Sequence, residues 1–188
     1  MKKTSYLLLL AGLTVSVRIT QATTVIPPTF DELVSQAEVI FQGDVTDVKS
    51  QWVGEGAQRH IVSYVTFKVE DALKGTPGQS YTIRMLGGTV DGETMGVSDA
   101  AKFKVGDKDI LFVQNNGSQF VPLVGIMHGR FHVKRDQTGQ EVVSNNENEP
   151  VKNVARLGRA AEAADGPEAN LTAADFKAAV KSKLQAPK

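Results

Sequence analysis

The sequence predicts a mainly β domain, a small antiparallel barrel or sandwich carrying a short N-terminal helix and a C-terminal helix. Three observations predict it. From Val39 to Val143, apolar residues recur at every second position in short runs, the period of a half-buried strand. Clusters rich in Gly, Asn and Asp separate those runs at hairpin-like spacing. Only 29–37 and 171–184 carry the clear spacing of an amphipathic helix, one on each side of the strand-rich region. Five to seven strands with turns at such intervals fit a barrel or a sandwich.

The chain opens on a leader. Met1-Lys2-Lys3 is cationic, Leu7 to Val17 is apolar, and Thr20-Gln21-Ala22 places small residues where a signal peptidase reads them. That pattern predicts a secretory signal peptide over 1–22, cleaved after Ala22. Its eleven-residue apolar stretch is too short to cross a bilayer of roughly 30 Å as a helix. A membrane anchor or a buried N-terminal helix is the competing reading.

The β domain is predicted over 23–144. Val25 to Pro28 is an extended lead-in, because each proline restricts its own φ and the residue before it. Thr29 can cap a helix, with Glu32 completing a capping box, and Phe30, Leu33, Val34 and Ala37 share one face. Val39, Phe41, Gly43, Val45 and Val48 form a first strand bent near Gly43, ending at the Gly54-Glu55-Gly56 turn. Ile61 to Leu73 is a second strand, with Val65, Phe67 and Val69 alternating against Thr66, Lys68 and Glu70. Lys74 to Gln79 is a tight turn whose glycines can supply positive φ, and Ser80 to Leu86 is the third strand. Gly87 to Lys102 reads as a long connection able to form the rim of a binding surface.

Asp109 to Gln114 is a fourth strand, and Ile110-Leu111-Phe112-Val113 is apolar enough to be central. Asn115-Asn116-Gly117-Ser118 is a hairpin signal leading into a fifth strand, Gln119 to Met127. Gly129 breaks the chain before a sixth strand, Arg130 to Arg135, and Asp136 to Gly139 turns into a short last strand at Glu141 to Val143. Residues 145–170 lose the pattern and read as a linker, with room for a helical turn or two between Val154 and Ala164. The C-terminal helix is predicted over 171–185. Thr172 is its cap, Asp175 follows three residues later, and Phe176, Val180 and Leu184 lie at i, i+4 and i+8. Lys177, Lys181 and Lys183 occupy the half of this helix where its dipole favours cations.

The whole chain balances 21 basic and 21 acidic residues. Loss of Lys2, Lys3 and Arg18 with the leader leaves 18 against 21, a net charge of −3 over 166 residues. Nucleic-acid binding rests on clustered Lys and Arg, so nucleic acid is not expected as a partner. No second long apolar run follows the leader, so no membrane span is expected in the mature chain. The chain has no cysteine, hence no lipobox and no disulfide, and its length suffices to bury a core without one. Export without cysteine fits a bacterial envelope protein, periplasmic or secreted.

Several segments in order carry a resemblance: FDELVSQAEVIFQGDVTDV, YVTFKVEDALKG, LGG, FKVGDKDILFV and LVGIMHGRFHV, within residues 29 to 135. Together they resemble a loosely defined group of exported bacterial β-rich proteins of unknown function. That group shows a helix before the first strand, a strand ending in Leu-Lys-Gly, a Gly-Gly after the next strand, and a Phe-x-x-Gly-Asp/Glu lead-in to an apolar strand. Here those are Phe30 to Ala37, Leu73-Lys74-Gly75, Gly87-Gly88, and Phe103 to Asp107 before Ile110. The strand order is also similar to the OB-like barrel of netrin modules and tissue inhibitors of metalloproteinases. The resemblance implies an OB-like barrel. Those inhibitors chelate a catalytic zinc through an N-terminal cysteine, whereas Thr23 stands at the expected mature N-terminus here. Their inhibitory chemistry is therefore not carried over.

The candidate metal ligands are His128 and His132, flanking Gly129-Arg130-Phe131. On a strand, residues 128, 130 and 132 share one face. Zinc needs three or four ligands, so a third would have to come from His60, Asp91 or Glu93, and the Arg130 cation between the histidines opposes a metal. A polar strand face is the plainer reading. Asp91, Glu93 and Asp99 offer oxygens to calcium, but not at EF-hand spacing. Neither Gly-x-Ser-x-Gly nor Ser-x-x-Lys marks a nucleophile, and Gly87-Gly88 is not followed by the Gly-Lys-Ser/Thr of a P-loop. No catalytic residue and no cofactor is assigned. Asn116-Gly117-Ser118 and Asn170-Leu171-Thr172 match the glycosylation acceptor pattern, which in a bacterial chain is chance. Trp52 is expected to pack at a barrel end. The sequence thus predicts an exported, noncatalytic binding module for a protein or a cell-envelope component. The alternatives are a metal-dependent enzyme, centred on the histidines and the 87–102 loop, and a protease-inhibitor-like protein.

Overall fold

The computed structural model describes residues 26–98, 100–159 and 169–186. The predicted signal peptide, its cleavage point, Asp99 and residues 160–168 of the predicted linker lie outside the described residues.

Helix α1 spans Phe30–Gln36 because Thr29 and Glu32 satisfy each other's backbone. The Thr29 hydroxyl accepts the Glu32 amide at 3.3 Å, and the Glu32 carboxylate accepts the Thr29 amide at 2.7 Å. The Thr29 amide, and then the Thr29 hydroxyl donating to the same carboxylate at 2.8 Å, hold the Glu32 carboxyl below the usual carboxylate range. Strands β1 (Val39–Val53), β2 (His60–Lys74) and β3 (Ser80–Leu86) follow as a meander. A hairpin of β4 (Gly88–Val90) and β5 (Glu93–Met95) stands apart from them. Strands β6 (Lys108–Val113), β7 (Arg130–Arg135) and β8 (Glu141–Ser144) complete one antiparallel sheet in the order β3-β2-β1-β6-β7-β8. Helix α2, Ala173–Gln185, is capped by Thr172, whose side chain accepts the Asp175 amide.

The sheet is open and does not close into a barrel. The predicted fifth strand is where closure would have come. Among residues 119–127 the only bridge is Leu123 to Val113, with Gln114 donating to the Pro122 carbonyl at 3.1 Å. Pro122 has no N–H for a ladder. Gly125 and Ile126 then take left-handed φ of 62° and 64°, so the chain turns instead of extending to Met127. The segment nonetheless reaches the exposed side of β3. Asn116 acts there as a side-chain strand: its Oδ1 accepts the Arg84 amide at 3.0 Å and its Nδ2 donates to the Thr82 carbonyl at 2.8 Å. Leu86 donates to the Phe120 carbonyl at 2.6 Å. The opposite edge is covered as well. Val143 donates to Leu171 at 3.0 Å and Val151 donates to Val143 at 3.0 Å. Covering both edges protects the open sheet from edge-to-edge pairing.

Each face of the sheet carries its own core. Phe30, Leu33, Ile40, Phe112, Phe131 and Phe176 lead the cluster beneath the two helices. Phe41, Val65, Phe67, Ile83, Leu111 and Leu123 lead the cluster on the other face. Strand β6 is buried from Asp109 to Val113 and lies between β1 and β7, so the predicted central strand is central. Strand β1 serves both cores through three register shifts against β2. At Gly43 a side chain would stand 2.6 Å from the Lys68 carbonyl, so the close pass of β2 admits only glycine at this bend. The region read as a linker is seated on the sheet in its described part. Val151 is buried among the helix-side residues, and Leu171 donates to its carbonyl at 2.8 Å.

Candidate functional site

Two glycines position the first element of the site. Gly87 and Gly88 hold φ of 102° and 140°, which L side chains rarely adopt. A side chain on Gly88 would meet the Ser50 and Ser63 hydroxyls at 2.3 Å. Those hydroxyls bond each other at 2.8 Å across β1 and β2, and Ser63 donates to the Gly87 carbonyl at 2.6 Å. The serine pair thus pins the start of the loop to the sheet. The loop rises into the β4–β5 hairpin, turned by Asp91 and Gly92 with φ of 50° and 83°. It returns over the sheet and ends at Phe103, which packs edge-on to Phe67 at 5.5 Å.

Between this loop and the sheet lies a cleft of about 450 Å³, well inside the size range of small-molecule sites. Val48, Val65, Met85, Met95, Val97 and Phe103 give it an apolar wall, and the serine pair supplies polar groups on its floor. The predicted rim loop is therefore the roof of a cleft. The hairpin within it escaped the sequence reading, although Asp-Gly between two short β-prone runs is a type I′ signal.

Lys102 and Phe103 also line a second, more polar hollow of about 470 Å³, with Lys104, Asp107, Arg130 and Lys134 around it. A buried ion network forms its wall. Asp109 is fully buried, accepting Arg130 Nη2 on Oδ2 at 2.9 Å and pairing its Oδ1 with His132 Nδ1 at 2.8 Å. The same Nη2 reaches Asp107 at 2.8 Å, and Nη1 donates to the Lys102 carbonyl at 2.6 Å. The guanidinium stacks on Phe103, 4.0 Å from the ring centre. Arg130 is 2% exposed, and its Nε has no acceptor among the described residues. Both of its Nη atoms are engaged by the carboxylates or the carbonyl, and such pairing is what keeps a charge of this kind stable out of water.

The two candidate histidines do not meet. Strand β7 starts only at Arg130, and His128 belongs to the turn before it. The shared face expected for 128, 130 and 132 therefore stops at 130 and 132. His128 lines a hollow on the helix side with Pro28, Leu33 and Phe131, whereas His132 faces the cleft side. Burial pushes the His128 imidazole below its ordinary value, with Glu147 opposing the shift. His60 sits at the β1–β2 turn, its Nδ1 against the Gln58 carbonyl at 2.7 Å. Asp91 and Glu93 lie on the exposed hairpin. Among the described residues no three His, Asp or Glu side chains converge as metal ligands.

Register places Asp109, His132 and Ser144 side by side on β6, β7 and β8. No hydrogen bond joins Ser144 to the imidazole, so the serine has no attached base and the row is not an assembled nucleophile triad. Trp52 packs at the free end of the β1–β2 hairpin beneath the Arg59 guanidinium, 4.1 Å from the ring centre. No helix among the described residues is long and apolar enough to cross a membrane. Comparison with protein-family models, curated proteins and solved structures finds no match.

Proposed function

We propose that the chain is an exported, noncatalytic binding module for a cell-envelope component, with the cleft beneath the 87–103 loop as its ligand site. The observation that carries the reading is the cleft's lining: an apolar wall, a fixed pair of serines, and a roof pinned at Gly87–Gly88. Such a surface suits recognition by burial, with few polar groups to orient the ligand. Export, to the periplasm or beyond the cell, rests on the Met1–Ala22 pattern. The unassembled row at His132 and the separation of His128 from it favour binding over catalysis.

Nuclear magnetic resonance titration with dodecanol, a neutral apolar chain, tests the proposal. Amide shifts are expected at Ser50, Ser63, Met85 and Val97, and Val97→Trp, which fills the cleft, should abolish them. Shifts scattered over the surface, or unaffected by Val97→Trp in a folded variant, would remove the cleft as the ligand site.

A further inference from the structure

The apolar cleft and the polar hollow share Ala100, Lys102 and Phe103, so the two lie side by side. Their chemistries differ sharply. The cleft side is walled by Val48, Val65, Met85 and Val97. The hollow is lined by Lys102, Lys104, Arg130 and Lys134, opposed among the described lining residues by Asp107, with Asp109 buried behind. Four cations against two carboxylates leave the hollow net positive. Lys102 and Lys104 form no ion pair among the described residues. Asp109 holds His132 by Nδ1, and no protein group among the described residues bonds the far ring nitrogen.

We propose that the ligand is a single-chain amphiphile with an anionic head, its hydrocarbon in the cleft and its carboxylate or phosphate in the hollow. Charge complementarity selects the head, because a cationic head would sit against the lysines and a neutral one would leave their attraction unused. Adjacency of the two cavities at Phe103 sets the order of the parts, the tail under the loop and the head toward β7. Arg130 is a positioning residue here: its guanidinium is held by Asp107, Asp109 and the Lys102 carbonyl, and it fixes the Phe103 ring that divides the two halves.

This assignment rests on the cleft being the ligand site, and the experiment separates the two ideas. The purified protein is titrated calorimetrically with dodecanoate, dodecyl phosphate, dodecanol, dodecyltrimethylammonium and inorganic phosphate, each below its micellar concentration. The anionic chains are expected to bind at least tenfold more tightly than dodecanol or the ammonium. Lys104→Glu with Lys134→Glu, two exposed positions that line the hollow and not the cleft, should erase that preference while dodecanol binding persists. Equal binding of every chain would overturn the anionic head and leave the cleft standing. Binding of inorganic phosphate alone, or of nothing, would overturn the cleft and the amphiphile together. The relative strength of dodecanoate and dodecyl phosphate then distinguishes a carboxylate head from a phosphate one.

Discussion

Replacing Asp109 by Asn removes one charge from the interior and nothing else of comparable size. Asn keeps the shape and can still accept from His132, but it cannot neutralise Arg130, which is 2% exposed. Breaking a buried ion pair from one side costs about 3–5 kcal/mol, because the remaining charge is stranded away from water. Arg130 retains Asp107 at 2.8 Å and the Lys102 carbonyl at 2.6 Å, so the expected loss lies near the lower end, about 3 kcal/mol. Urea denaturation followed by circular dichroism and by fluorescence of the single Trp52 measures it, with the slope m required to match the parent chain. A loss below about 1 kcal/mol would show that Asp107 alone compensates Arg130, and the argument from burial would be wrong. The double replacement Asp109→Leu with Arg130→Met provides a second check. Removing both charges in favour of apolar groups should cost less than Asp109→Asn alone.

Phe176→Ala empties the centre of the helix-side core, where the ring lies 4.8 Å from Phe131 and 6.0 Å from Phe30; about 3–5 kcal/mol of stability should be lost in the same denaturation assay. Asn116→Ala uncovers the Arg84 amide and Thr82 carbonyl on the β3 edge, and concentration-dependent self-association should follow in sedimentation velocity. His128 is held below its ordinary value by burial, so the unfolded chain takes up a proton first as pH falls through about 6.5. Its contribution is therefore present above that pH and lost below it, and His128→Gln should lose less stability than the parent between pH 7 and 5, as read by denaturant midpoints.

Elements with a strong local cause were legible in the sequence. Thr29 with Glu32, and Thr172 with Asp175, specify both helix starts through bonds that span three residues. Strands β3 and β7 begin and end where alternation places them. The fifth strand failed because alternation over Val121 and Leu123 is equally satisfied by an irregular segment that buries the same side chains. The absent N–H of Pro122 and the left-handed pair at Gly125–Ile126 then decided the outcome. The common face expected of residues 128, 130 and 132 failed for a related reason. Period-two reasoning assumed a strand through 128, but Gly129 leaves no space for a side chain, 2.8 Å from the Phe112 carbonyl, and the strand starts after it.

The ion network shows why the site lay beyond a reading of single segments. Lys108 and Asp109 are adjacent in β6, so alternation sends them to opposite faces. Lys108 joins Asp44, Glu70 and Glu141 on the helix side. Burial opposes its charge there, but the Glu70 bond and the three carboxylates hold it above the usual lysine range. Asp109 is left fully buried on the opposite face and needs a cation from another strand. Register supplies it, because pairing of Leu111 with Arg130 and of Asp109 with His132 puts Arg130 and His132 beside the buried carboxylate. A one-residue slip of β7 would turn Arg130 and His132 to the helix-side core and strand Asp109 without a partner. His132, one of the two candidate metal ligands, therefore joins Arg130 and Asp109 in specifying strand register, and the net-positive hollow beside the cleft is the surface this register leaves open.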